Sequence, residues 1–311
     1  MHPVTLVMVV HDHQPVGNFD GVFAAAYDDA YAPFLALLER RPALRIGLHT
    51  SGPLLEWLEA NRPEYLARLR ARVERGQVEP WGGAMYEPIL PAIPEHDRQG
   101  QIAAMADRIE RLFGRRPRGL WLAERVWEPG LASSLAAAGV EYTAVDDAHF
   151  VAAGFERERL WGYFQTEDQG LALRVFPIHR ELRYLIPFGD PEEAAALLGR
   201  VAEGGGRRIA VLGDVLEEIG GRPGTRQPCY DDRCAARFAD APAPAAVYAA
   251  LGRHHKRRGN LDEALRLYQL ASAADPRGSE LLVNVGNVLF LKGDLEGAKA
   301  AYLAATDRAQ G

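Results

Sequence analysis

The sequence predicts an α/β protein, a closed or nearly closed β/α barrel followed by a small all-helical domain. Three observations predict it. Seven short β-branched or apolar runs alternate with longer amphipathic stretches over the first two thirds of the chain, and such alternation implies a mainly parallel sheet covered by helices. No Gly-rich phosphate loop follows the first run, which argues against a doubly wound nucleotide fold. The C-terminal stretch then repeats itself at a spacing of 34 residues.

The strands are expected at Val4–Val10, Leu44–His49, Gln77–Trp81, Gly119–Leu122, Glu141–Val145, Leu171–Phe176 and Arg208–Gly213. Helical patterns lie between them. From Glu95 to Phe113, Ile102, Met105, Ala106, Ile109, Leu112 and Phe113 recur at three- and four-residue steps; Pro94 opens the segment and Gly114 closes it. Residues 226–244, RQPCYDDRCAARFADAPAP, carry no usable period and read as a linker between a domain at 1–225 and one at 245–311. In the last domain Gly252 and Gly286, Gly259 and Gly293, Leu261 and Leu295, Ala264 and Ala298, Tyr268 and Tyr302, and Ala271 and Ala305 are each 34 residues apart. That period, with Pro276 where a unit ends, resembles two tetratricopeptide repeats, whose small residues let two helices approach around an aromatic side chain. The resemblance implies binding of a protein partner or self-association; a helical hairpin pair that merely packs on the barrel is the simpler alternative.

Composition narrows the function. With 48% apolar and 25% charged residues in 311, the chain can bury a large core. The longest strand-like apolar run stops at His11, far short of the ~20 residues of a spanning helix, so no membrane partner is expected. Lys+Arg of 36 against Asp+Glu of 42 gives a net charge of −6, which offers no basic field for nucleic acid. Cys229 and Cys234 are the two cysteines; with no export signal in view they fit free thiols in a cytoplasmic protein.

In a β/α barrel the chemistry collects at the carboxyl ends of the strands. Those ends carry His11, Asp12, His13 and Gln14; Tyr86 and Glu87; Glu124, Arg125 and Trp127; Asp146, Asp147 and His149; and Asp214, Glu217 and Glu218. Aromatic faces such as Trp121, Trp127 and Tyr86 suit sugar rings, and carboxylates suit sugar hydroxyls. Singly, each residue could equally be a helix cap or a core aromatic. Their joint placement favours a carbohydrate site.

The segments HDHQP at 11–15, SGPLLEW at 51–57, GAMYEP at 83–88, WLAERVWEP at 121–129, VDDAHF at 145–150 and LRYLIPF at 182–188 resemble, in order, the N-terminal half of family 57 glycoside hydrolases, above all the 4-α-glucanotransferase and α-amylase members. The resemblance covers roughly residues 3–225. It implies an incomplete seven-stranded β/α barrel acting with retention on an α-glucan or maltooligosaccharide, without a cofactor or a metal. Glu124 stands at the family's nucleophile and Asp214 beside its acid/base; His11, His13, Glu87 and Trp127 stand at substrate-contact positions, with Trp121 and Asp146 on the same rim.

One motif departs from the family. Anchoring GDVLEEIGGRPGT on Pro223–Gly224–Thr225 puts Asp214 on the first of two family aspartates and Val215 on the second, the acid/base. An isopropyl group donates no proton. The resulting expectation is a family member impaired in catalysis that keeps a sugar site and uses its repeats for interaction. Two alternatives stand beside it: an active retaining enzyme using Glu124 and Asp214, and, ranked below, a metal-dependent hydrolase in which His11 and His13 are joined by His149, His179 or Asp214.

Overall fold

The computed structural model describes residues 4–186, 189, 191–218 and 244–310. The chain forms two compact units, one of residues 4–188 and 207–239 and one of residues 1–3, 189–206 and 240–311. The Pro223–Thr225 anchor, both cysteines and nearly all of the expected linker lie outside the described residues.

Among the described residues the first unit has eight strands: β1 Val4–Asp12, β2 Ile46–Thr50, β3 Val78–Pro80, β4 Gly119–Leu120, β5 Tyr142–Asp146, β6 Phe164–Asp168, β7 Leu171–Ile178 and β8 Arg208–Val215. Their order is β3-β2-β1-β8-β7-β5-β4, with β6 paired to β7. Every pair is parallel except β6 with β7. A parallel bridge between Gly82 and Leu120 joins the two end strands. The result is a barrel of seven parallel strands, one short of the usual eight.

All seven expected strands are present. β6 is the addition: its residues FQTED alternate between half-buried and exposed, and it turns into β7 through Gln169 and Gly170, both at positive φ. Four polar residues in five leave it without the apolar run that marks the other strands. Side-chain alternation along β1 sets both faces. Val7 and Val9 pack inward with Trp81, Trp121, Ala144, Ile178 and Val211, while Met8 and Val10 pack outward under the helices.

Among the described residues this unit has eight α-helices: α1 Asp20–Ala26, α2 Ala32–Arg40, α3 Gly52–Asn61, α4 Pro63–Glu74, α5 Glu95–Phe113, α6 Leu131–Ala137, α7 Asp147–Ala152 and α8 Arg180–Leu185. A π-helical turn, Tyr27–Tyr31, joins α1 to α2. The α5 boundaries follow from local chemistry. Pro94 is extended, Glu95 and Asp97 sit in the first turn, and Gly114 closes the helix at φ 70°, a left-handed conformation that glycine adopts without a Cβ penalty. Its buried stripe of Ile102, Met105, Ala106, Ile109 and Phe113 is the one its spacing predicts.

The second unit is helical: α9 Pro191–Glu203, α10 Pro244–Arg257, α11 Leu261–Ala274, α12 Ser279–Leu291 and α13 Leu295–Gln310. The 34-residue spacing has a physical counterpart here. A Cβ on Gly252 would meet the Tyr268 ring at 3.0 Å, and one on Gly286 would meet the Tyr302 ring at 2.5 Å. The intervening turns each place a glycine at positive φ, Gly259 and Gly293. Helix α9 joins the same unit through Ala196, which clusters with Ala250, Leu251 and Leu267, and through the ion pair of Glu192 with Arg253. Among the described residues no helix is long and apolar enough to cross a membrane.

Candidate active site at the barrel rim

Register brings the polar residues together. On the inner face His11 of β1 lies beside His49 of β2 on one side and Val215 of β8 on the other. The carboxyl ends of the strands surround a cavity of about 290 Å³ lined by His11, His13, Glu87, Trp121, Ala123, Glu124, Arg125, Arg183 and Val215. Of the sequence-predicted residues, His11, His13, Glu87, Trp121 and Glu124 therefore share one pocket.

The backbone there is strained. Glu87, Glu124 and Arg125 all have φ between 52° and 55°, a region L-residues rarely occupy. Such conformations cost of order 1–3 kcal/mol each and persist where the surroundings over-determine them, typically at functional sites. Here each presents a charged side chain to one cavity.

The β1 and β3 side is tightly knit. Glu87 Oε2 lies 2.6 Å from His13 Nδ1, and Glu87 Oε1 lies 3.2 Å from His11 Nε2. His11 Nδ1 and His49 Nδ1 are 2.8 Å apart, one donating and the other accepting. The His11 ring stacks on Trp121 with centroids 5.2 Å apart. The His13 amide donates to Glu217 Oε1 at 2.6 Å, and the Tyr31 hydroxyl, carried by the π-helical turn, also donates to that oxygen. π-Turns recur where a helix must re-aim one side chain.

Burial and pairing set the protonation states. The hydrogen bond to Glu87 raises the pKa of His13 and makes it a cation over more of the neutral range. Burial, helped by the nearby His49 and His13, holds His11 well below the usual imidazole range. Burial also lowers His49 to about 4 and raises Glu217 to about 7.

The opposite side is different. Val215 presents an isopropyl group to the cavity. Strand alternation puts Asp214 on the other face of β8, where it is 3% exposed. Its Oδ1 accepts hydrogen bonds from Arg183 Nη2 at 3.2 Å and from the Val215 amide at 2.9 Å. Asp146, at the end of β5, does not line the cavity; it flanks it by pairing with Arg125 at 3.0 Å and Arg183 at 3.8 Å.

Trp127 departs from its expected place. It lines a separate cavity of about 240 Å³ with Val145, His149, Phe150, Phe155 and Phe164. Its ring packs against the outer core. The metal set expected from His149, His179 and Asp214 is likewise dispersed. His149 lines that second cavity, and His179 stacks on Trp161 while its Nδ1 accepts the Val211 amide. Arg183 and His49 were not singled out from sequence. His49 ends its expected strand, so the strand-end rule applied to β2 would have found it; Arg183 has no such local signal.

Residues 7–232 match the family described as Glycosyl hydrolase family 57. Alpha-amylase 1 of Dictyoglomus thermophilum is 48% identical over 223 residues, 72% of this chain and 32% of the relative. The 4-alpha-glucanotransferase of Thermococcus litoralis is 43% identical over 241 residues, 78% of this chain and 36% of the relative. The crystal structure of 4-alpha-glucanotransferase from that organism superposes with a TM-score of 0.75 at 31% identity, covering 99% of this chain and 55% of that one. The chain thus spans about a third of the length of these curated relatives.

Proposed function

The chain belongs to glycosyl hydrolase family 57, and from that premise we propose that its barrel rim is an α-glucan site with a nucleophile, Glu124, but without a working acid/base. The protein binds maltooligosaccharides and turns natural ones over barely or not at all. The relatives named as amylase and glucanotransferase support the substrate class. The match of WLAERVWEP to the family motif supports the role of Glu124. The observation that carries the impairment is Val215 at the cavity wall, with Asp214 behind it on the opposite strand face and bonded to Arg183.

Retention needs two carboxyl groups about 5–5.5 Å apart on either side of the glycosidic bond, one to attack the anomeric carbon and one to protonate the leaving oxygen. Valine supplies neither proton nor base. Loss of general acid catalysis costs roughly 10²–10⁴-fold on a sugar leaving group, which departs poorly as an alkoxide. Fluoride needs no such proton. His11 stacked on Trp121, together with His13 and Glu87, supports a sugar ring held at the rim by an aromatic platform and polar edges. The repeated helices at 245–311 serve as an interaction module for a protein partner or a second copy.

The test is substrate choice. An α-glucosyl fluoride should be consumed slowly in a Glu124-dependent reaction, faster with azide, which attacks the glycosyl-enzyme without a general base. Amylose and maltooligosaccharides should persist. Brisk disproportionation of maltooligosaccharides by the unmodified protein, abolished by Asp214→Asn, would overturn the reading and make Asp214 the acid/base.

A further inference from the structure

Two arginines share the wall of the rim cavity with Glu124 and Val215. Arg125 follows Glu124 directly, at a similar positive φ, and Arg183 comes from α8. One carboxylate oxygen ties the two together: Asp146 Oδ1 lies 3.0 Å from Arg125 Nε and 3.8 Å from Arg183 Nη1. Arg183 Nη2 also donates to Asp214 Oδ1 at 3.2 Å. Both side chains keep an accessible part, 17% for Arg125 and 24% for Arg183, and a guanidinium carries more N–H donors than these contacts use. The pair is a preset, forked donor surface of the kind that takes an oxyanion.

The valine sharpens that surface. An aspartate at 215 would set a carboxylate at the same wall as the two guanidiniums, whereas the isopropyl group adds no charge there. Of the carboxylates that line the cavity, Glu87 is held by His13 at 2.6 Å and Glu124 is left to react. A nucleophile, two cations and no acid suit one kind of donor, a glucosyl group whose leaving group is itself an anion and needs no proton from the protein. Phosphate meets both terms. Its oxygens match paired guanidinium N–H groups, and it departs far more readily than a sugar alkoxide.

We propose that the rim pocket takes a glucosyl phosphate as donor, with the phosphate on Arg125 and Arg183 and the anomeric carbon facing Glu124. The inference rests on the reading of Glu124 as a nucleophile without an acid/base. In the step, a Glu124 carboxylate oxygen bonds to the anomeric carbon while the bond from that carbon to the phosphate oxygen breaks, its electron pair passing to phosphate. A donor monoanion departs as hydrogen phosphate, so the one proton involved stays on the leaving group throughout. Attack of hydrogen phosphate on the glucosyl ester runs the step backwards and frees the carboxylate; two inversions give retention. The cavity, about 290 Å³, stands at the small end of ligand sites, which favours a monosaccharide 1-phosphate over a nucleoside diphosphate sugar.

The experiment is isotope exchange with the full chain. α-Glucose 1-phosphate is incubated with radiolabelled inorganic phosphate at pH 7, and label entering the sugar phosphate is counted. Exchange is expected in the unmodified protein and absent in Glu124→Gln. Arg183→Gln should slow it at least about tenfold by removing a charge-assisted contact. Val215→Asp, whose new carboxylate is ionised at that pH, should raise the phosphate concentration for half-maximal exchange at least about tenfold. Circular dichroism checks the fold of each variant. An α-glucosyl fluoride run alongside separates the failures: fluoride release without phosphate exchange overturns this proposal and leaves the nucleophile in place, whereas absence of both reactions overturns the nucleophile assignment with it. Exchange that survives Glu124→Gln, or is unchanged in folded Arg183→Gln and Val215→Asp, also overturns the proposal. A nucleoside diphosphate glucose in place of the 1-phosphate distinguishes the two sources of the leaving phosphate. No nucleotide release is expected, and release faster than the exchange would overturn the monoester assignment.

Discussion

The two sides of the rim pocket are built in different ways. On the β1 and β3 side, His11, His13, Glu87, His49 and Glu217 form a continuous web of close polar contacts. On the β8 side a valine faces the cavity and the adjacent aspartate is turned to the opposite face and tied to Arg183. Both sides are strand ends in register, so the barrel does not impose the difference. A strand end supplies a position; one residue decides whether that position carries chemistry, because neighbouring residues point to opposite faces.

The largest expected effect separates the nucleophile from everything else. Glu124→Gln should reduce consumption of an α-glucosyl fluoride to the uncatalysed rate, followed as fluoride release; residual turnover would move the nucleophile elsewhere. Next comes repair of the poorer side. Val215→Asp should raise maltooligosaccharide cleavage by up to roughly 10²–10⁴-fold if the missing proton is the only defect. No gain, in a protein that still binds the glucan by calorimetry, would mean that more of the cleft is needed than this chain supplies.

The well-knit side can be probed through pH. Burial raises Glu217 to about 7, so the folded state favours its protonated form. Its contribution to stability is therefore full below the ordinary carboxylate range and is lost as pH rises through about 7. Glu217→Gln, which cannot ionise, should flatten that slope and be the more stable protein at pH 8 by up to roughly 3 kcal/mol, measured by urea unfolding. Equal slopes in the two proteins would show that the web tolerates a charged Glu217.

The smallest effect compares packing on the two sides. A Cβ on Gly83 would lie 2.3 Å from Nε2 of the fully buried His49, whereas one on Gly213 of β8 would meet the terminal methyl of Ile178 at 2.7 Å. Gly83→Ala should therefore cost about 1–3 kcal/mol by thermal unfolding and Gly213→Ala less. The reverse order would put the rigid side of the barrel at β8.

Much of this was legible in the chain itself. All seven parallel strands, the limits of α5 and the glycine–tyrosine pairing of the helical unit come from local periodicity and local conformational preference. So did the rim position of His11, His13, Glu87, Trp121 and Glu124, since any barrel gathers its strand ends. The rest depended on direction, which periodicity does not carry past the end of an element. The seventh expected strand ends at Gly213; the observed β8 runs to Val215, and only that extension assigns Asp214 and Val215 to opposite faces. Glu87 reaches His13 across 74 residues of sequence because of a positive φ that no local pattern announces. Trp127, a few residues past Glu124, turns into another cavity. Short-range order follows from the backbone and side chains of neighbouring residues; which side chains share a pocket is settled by register, strain and packing among residues far apart in the chain.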